Sequence, residues 1–239
     1  MTEHRPPSKD SPAGRRRQND GQKLQPQARV NRRPKQNDST ARLISEAKKI
    51  GLQQIDTEIK ALTRFLLTQP RTNVLEIGSA EGGSFYLWCR LFSGKKISLD
   101  DPRGNFGGIG LTRARKRNVQ FRKWADGVSA ILGNSHAVAT CRKVAHALKE
   151  EKLDFLFIDG DHSLSGVELD YLMYRRFVRP GGHIAFHDIN NTPWHRSVGC
   201  FVGPFWSQLK GEKREFTSHQ RWGGIGLLRV TEMSNSETK

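Results

Sequence analysis

Four short polar clusters in the 239-residue chain hold the residue types that could do chemistry, and each follows an apolar run. The first is Glu76-Ile77-Gly78-Ser79-Ala80-Glu81-Gly82-Gly83-Ser84. Glycines just after a strand let the backbone turn sharply and approach a ligand. The spacing, E-x-G-x-x-x-G-G-S, lacks the middle glycine that G-x-G-x-x-G offers a pyrophosphate, which disfavours a nicotinamide dehydrogenase. A plain strand-to-helix turn is the alternative. The second is Asp100, 24 positions after Glu76. An acid at such a strand end can accept both hydroxyl protons of a ribose. Asp101 beside it is equally placed, and an acid there can also simply cap a helix. The third is Asp159-Gly160-Asp161-His162, and the fourth is His187-Asp188 with Asn190 and Asn191 behind. Acids on separate strand ends, with histidine and amide oxygens near, suit a hard divalent cation such as magnesium (Mg2+), with Asp159, Asp188 and His187 as ligands. A metal on a substrate hydroxyl lowers its pKa and aims its oxygen. His162, whose ordinary pKa is near neutrality, could then take the proton. Without a metal, Asp188 caps a turn and His187 is a satisfied, partly buried ring.

The elements that must carry these clusters alternate in kind. The apolar runs Val74-Leu75-Glu76-Ile77, Lys96-Ile97-Ser98-Leu99, Val128 to Leu132, Leu153 to Ile158 and His183-Ile184-Ala185-Phe186 read as strands. Residues 84–91, 137–152 and 165–177 between them read as helices. Strands alternating with helices imply βαβ units and a parallel sheet with helices on both faces. Arg214 to Thr217 and Ile225 to Val230 add two strands in a hairpin-like pair, for seven in a mostly parallel sheet. In such a sheet ligands sit at the C-terminal strand ends, near the switch in strand order, and all four polar clusters fall at such ends. Upstream, Ile55, Ile59, Leu62 and Leu66 form the apolar stripe of a helix, separated from an earlier helical piece by Gly51 and ended by Pro70. Pro180-Gly181-Gly182 reads as a tight turn feeding the fifth strand. Residues 101–125, rich in glycine, arginine and lysine, read as a loop or short insertion, either a substrate-contacting lid or a solvated surface loop.

Composition divides the chain. Residues 1–40 hold ten Lys/Arg, four Asp/Glu, five of the ten prolines and no aromatic residue. Such a segment cannot bury enough apolar surface to offset its ordering entropy, and reads as a disordered basic tail. Order is expected from Ser39-Thr40, giving a domain over 41–232 and a disordered end over 233–239. The net charge of +16 favours polyanions, and Arg15-Arg16-Arg17 with Arg32-Arg33 could form a nucleic-acid arm or merely a solubilising tail. Cys89, Cys141 and Cys200 lie far apart with no C-x-x-C, as expected in a reducing compartment. No apolar run approaches 18 residues and no secretory h-region follows the N-terminus, so a soluble cytoplasmic protein is expected.

The run Phe157-Ile158-Asp159-Gly160-Asp161-His162-Ser163, with Gly166-Val167, Asp170, Pro180-Gly181-Gly182 and Phe186-His187-Asp188, resembles a known family. It is the class I S-adenosylmethionine (SAM) dependent methyltransferase family that includes cephalosporin-hydroxylase-like and rhamnosyl or macrolide-sugar O-methyltransferases. Glu76-x-Gly78 with Gly82-Gly83-Ser84, and the ending around Val202, Phe205-Trp206 and Gly223-Gly224-Ile225-Gly226, extend the likeness over residues 50–230. The resemblance implies a Rossmann-like α/β fold. Glu76, Gly78, Ser79 and Gly82 would line the methionine end of SAM, Asp100 would hold the ribose, and Asn134-Ser135 would flank the adenine. Asp159 and His162 match a D-x-x-H pair supplying a metal ligand and a general base. The second ligand pair, acid-acid in the sugar enzymes, reads His187-Asp188 here. The implied reaction is metal-assisted O-methylation of a small hydroxylated acceptor. The alternatives are an RNA methyltransferase steered by residues 1–40, and a non-catalytic binding protein that keeps the fold. The first lacks an N-P-P-Y strand end and a lysine after the fifth strand.

Overall fold

The computed structural model describes residues 36–218 and 222–231, with side chains from Ser39 onward. All of them belong to a unit that begins at Pro34. The basic clusters of residues 1–35 and the expected C-terminal end lie outside the described residues. Seven strands are present: β1 (Val74–Ile77), β2 (Lys96–Asp100), β3 (Val128–Leu132), β4 (Leu153–Ile158), β5 (Val178–His187), β6 (Lys213–Phe216) and β7 (Ile225–Arg229). Their order is β3-β2-β1-β4-β5-β7-β6, parallel from β3 to β5, with β7 antiparallel to both its neighbours. This is the α/β, mostly parallel seven-stranded sheet expected from the alternation of runs.

Helices cover both faces. On one pack α1 (Gln36–Ile50), α2 (Asp56–Leu66), α3 (Gly83–Leu91) and α4 (Leu111–Trp124), against Val74, Phe155, Phe157 and Leu227. On the other pack α5 (Val138–Leu148), α6 (Leu164–Tyr174) and α8 (Val202–Gln208), against Leu75, Ile77, Leu156 and Phe186. Successive side chains of a strand point to opposite faces, so strands covered on both sides are mostly apolar. β1 and β4 are buried along their whole length for this reason. Among the described residues no helix is long and apolar enough to cross a membrane.

Three expectations need correction. Helix α1 starts at Gln36, inside the segment assigned to the tail. Thr40, Ile44 and Ala47 form its buried stripe, and the polar Thr40 hides that spacing in the sequence. Residues 111–124 are a helix rather than part of a loop, because a parallel β2–β3 connection needs a crossover element. The buried face of α4 is Ala114, Arg117, Asn118 and Phe121, a helical period whose middle members are polar. Strand β5 also runs through Pro180-Gly181-Gly182, with a register shift opposite Leu153/Phe155, so this is an irregularity within the strand rather than a turn before it. The short helix α7 (Pro193–Ser197) and α8 were not expected at all.

Two core positions give direct tests. Gly82 has φ +99, and a Cβ there would stand 2.3 Å from Phe121 Cε1. Gly82→Ala should cost about 3 kcal/mol in urea unfolding, from overpacking and backbone strain together, whereas an unchanged midpoint would contradict the packing described. Glu76 is fully buried in β1, and its Oε1 accepts from Trp88 Nε1 at 2.9 Å. Burial pushes its carboxyl up to about 8 from an ordinary 4.5, against hydrogen bonds that favour the anion. The folded state therefore keeps a proton that the unfolded chain loses, so stability falls as pH rises from about 4.5 through 8. Glu76→Gln should flatten that part of the Tm-versus-pH profile. Parallel profiles for the two proteins would show that Glu76 does not titrate in this way.

Candidate active site

Pairing register aligns the site. Ile77 lies opposite Leu99 and Ile158, Ile158 lies opposite Phe186, and Leu99 lies opposite Ile131. The next residues along these strands, Gly78, Asp100, Asp159 and His187, therefore form one row at the C-terminal edge. Gly78 must be glycine: its φ is +85, and a Cβ would stand 2.0 Å from the Asp159 carbonyl oxygen. The strands β1 and β4 separate above this contact, at the switch in strand order, and open a cleft.

The cleft has two adjoining cavities. One, of about 250 Å³, is bordered by Gly78, Asp100, Asp101, Asn134, Ser135 and Gly160. The other, of about 150 Å³, is bordered by Gln54, Gly78, Ser79, Ser84, Asp159 and His162. Gly78, Asp100 and Phe106 border both. Gly78, Ser79, Asp100, Asn134 and Ser135 thus all border the cleft. Glu76 and Gly82 do not border either cavity. Glu76 is spent on Trp88 in the core and Gly82 on the close approach of Phe121, so both shape the loop from beneath.

Asp100 is held on both oxygens. Oδ1 accepts from the Ser79 amide at 3.1 Å, and Oδ2 accepts from Arg117 Nη1 at 2.9 Å. Arg117 also donates to the Ala80 carbonyl and lies over the Phe121 ring at 4.9 Å. Both partners of this ion pair are under a tenth exposed, so each is costly to leave alone. One guanidinium from α4 therefore ties the glycine loop to the end of β2. Asp101, half-buried on the wall of the larger cavity, accepts from the Arg103 amide at 3.1 Å. Arg117 could not be found from the sequence, where it looks like one more surface cation of a basic stretch. Gln54 and Phe106 carried no signal either.

Asp159 and Asp188 are joined by histidines. Asp159 Oδ1 lies 3.2 Å from His162 Nε2 and 3.0 Å from His187 Nδ1, and its Oδ2 accepts from Gln54 Nε2 at 2.6 Å. His162 Nδ1 in turn lies 3.3 Å from Asp188 Oδ2. Burial alone would raise the Asp159 carboxyl, but the charges and hydrogen bonds of His187 and His162 take it well below the usual carboxylate range. Burial alone would likewise lower His162, but Asp159, Cys200 and Asp188 hold its proton far above the ordinary range. His187 is raised in the same way, burial opposing and the two carboxylates prevailing. His162 stands between two carboxylates with both nitrogens engaged, which leaves neither for a substrate proton.

These residues do not fit magnesium. That ion wants an octahedron of oxygens. Here Asp159 Oδ1 is occupied by two imidazoles, and Asp188 meets imidazole nitrogens, a thiol and the Gly223 amide, which donates to its Oδ1 at 3.1 Å. Asp159, Asp188 and His187 are brought together through the imidazole, whose Nδ1 lies 3.0 Å from Asp159 Oδ1 and 3.5 Å from Asp188 Oδ2.

Residues 75–189 match a family described as a methyltransferase domain. An uncharacterised protein of Acanthamoeba polyphaga mimivirus is 32% identical over 139 residues, covering 58% of this chain and 61% of that protein. The chain thus spans about three-fifths of the length of that relative. Among solved structures, an O-methyltransferase of Bacillus cereus in complex with SAH superposes with a TM-score of 0.53 at 17% identity, over 84% of this chain and 94% of its own. An rRNA methylase of Streptococcus thermophilus gives a TM-score of 0.54 at 11% identity, over 75% and 99%. With the seven-stranded order and the cleft at its switch point, these likenesses agree with the resemblance drawn from the motifs: residues 75–189 match the methyltransferase-domain family, and the fold is the one these solved methyltransferases share.

Proposed function

We propose that the chain transfers the methyl group of SAM to a hydroxyl oxygen of a small acceptor. The observation that carries this reading is the pair of joined cavities meeting at Gly78, with an ionised carboxylate on the floor of the smaller one. The larger cavity, with carboxylates on one wall and Asn134-Ser135 on another, suits a nucleoside. The smaller, beside the glycine loop, suits the methionine portion and the sulfonium methyl, and Asp159 faces the space beyond it. The Bacillus cereus relative holds the demethylated cofactor on the same fold.

The chemistry asks little of the protein beyond positioning. The acceptor oxygen forms a bond to the methyl carbon, the sulfur–carbon bond breaks, and its electron pair stays on sulfur as a thioether. The hydroxyl proton must leave, and the protonated ether formed on transfer is a far stronger acid than any carboxylic acid. Asp159 can therefore accept it although its pKa is low. His162 and His187 keep the carboxylate ionised and aimed. This moves the proton-accepting role from His162, where the sequence reading put it, to Asp159.

We assign the acceptor as a hydroxylated metabolite or sugar, the class that the motif resemblance implies. Nucleic acid contact through residues 1–40 lies outside the described residues. SAM should bind the purified chain in isothermal titration. Asp159→Asn should lower kcat by about 10²–10⁴-fold with SAM affinity kept within a few-fold. Labelled methyl transfer into a cell extract, fractionated by class, should mark small molecules. Absence of SAM binding, or label confined to nucleic acid, would overturn the reading.

A further inference from the structure

Asp188 follows β5 with φ +63, a left-handed backbone that a non-glycine residue seldom adopts, and its carboxylate lies among imidazoles, the Cys200 thiol and the Gly223 amide, which donates to Oδ1 at 3.1 Å. His162 Nδ1 lies 3.3 Å from Oδ2, and His195 Nε2 lies 3.6 Å from Oδ1. Cys200 belongs to the same group: one ligand atom each from His162, Asp188 and Cys200 all fall within 4.8 Å of one another. His195 is 1% exposed, and its Nε2, directed at Asp188, has no hydrogen-bond partner. A buried polar atom without a partner costs free energy that a ligand would recover.

The geometry points to a zinc-class divalent cation held by His162 Nδ1, Asp188 and Cys200, with His195 Nε2, which faces Asp188 from outside that trio, drawn in as the fourth donor. Two imidazoles, a thiolate and one carboxylate are the donors that zinc and its neighbours select and magnesium does not. Bonds of 2.0–2.3 Å in a tetrahedron separate the ligand atoms by about 3.3–3.6 Å, close to the separations already present between Asp188 and both histidines. The far side of each ring is also arranged as metal-bound histidines require. His162 Nε2 faces Asp159 Oδ1 at 3.2 Å, and His195 Nδ1 faces Thr192 Oγ1 at 2.8 Å. On binding, the cation displaces the protons of Cys200 Sγ and His162 Nδ1, which pass to solvent. Its double charge is then balanced by the thiolate and the Asp188 carboxylate. Four protein donors leave no open position, so the ion is structural. It would staple residues 188–200, including α7, to the end of β4. The Phe201 amide, which donates to the His162 carbonyl at 2.7 Å, already begins that connection.

The test uses the purified full chain with zinc, magnesium and cobalt(II) salts alone. One zinc per chain should survive dialysis, and a large excess of magnesium should not displace it. The cobalt(II) form should show tetrahedral visible bands with a near-ultraviolet thiolate charge-transfer band. Cys200→Ser should lose the charge-transfer band and His195→Gln should weaken zinc binding at least tenfold, while Cys89→Ser, a buried thiol elsewhere, should change neither. No zinc retention, a six-coordinate cobalt spectrum, or a charge-transfer band that survives Cys200→Ser would each overturn the site. The wild-type cobalt spectrum decides the matter even if a variant fails to fold. SAM titration on the same sample reads the proposed function separately, since either ligand can bind without the other.

Discussion

Ile77, Leu99, Ile158 and Phe186 make one paired row across four parallel strands, and the residue after each is the last of its strand or the first beyond it. Parallel strands all point their carbonyl ends one way, so chemistry carried by four distant segments meets at one edge. Gly78 is the tightest point of that edge, pressed on the Asp159 carbonyl so closely that a side chain would part β1 from β4. Everything at the site, from the glycine loop to the histidines, is placed by this register.

Charge is the second constraint. Asp100, Asp159 and Asp188 approach one cleft, and each is answered by a cation or an imidazole. Arg117 answers Asp100, and His162 stands between the other two. Carboxylates largely removed from water are tolerated only when paired and hydrogen-bonded. The pairing also sets function. In the proposed reaction a histidine held by two carboxylates is an orienting group, and the carboxylate it orients is the one that meets the acceptor. The same economy applies to α4, where a buried guanidinium steadies both the glycine loop and the acid at the end of β2.

Fold and chemistry separate cleanly here. The Bacillus cereus O-methyltransferase and the Streptococcus thermophilus rRNA methylase superpose about equally well on this chain, at identities that speak only for the fold. Acceptor choice lives in the site. Around Asp188 this site gathers His162 from the end of β4 and Cys200 from the segment between β5 and α8.

The sequence by itself determined the sheet and its polar edge. Strands covered on both faces must be mostly apolar, so Val74 to Ile77 and Leu153 to Ile158 announce themselves, and the glycine and acids that follow mark the cleft. It could not disclose α4, because Arg117 and Asn118 occupy the inward positions where apolar residues would have signalled a helix. Nor could it assign roles. His162 reads as a base and Glu76 as a cofactor contact until their neighbours are known, since a pKa depends on burial and on charges brought from elsewhere in the chain. Cys200 and His195 look unremarkable beside Asp188 in the sequence, and only the folding of residues 188–200 back onto β4 makes them neighbours. Local pattern encodes burial, which is a property of each element; pairing between side chains far apart in the chain exists only once those elements have packed.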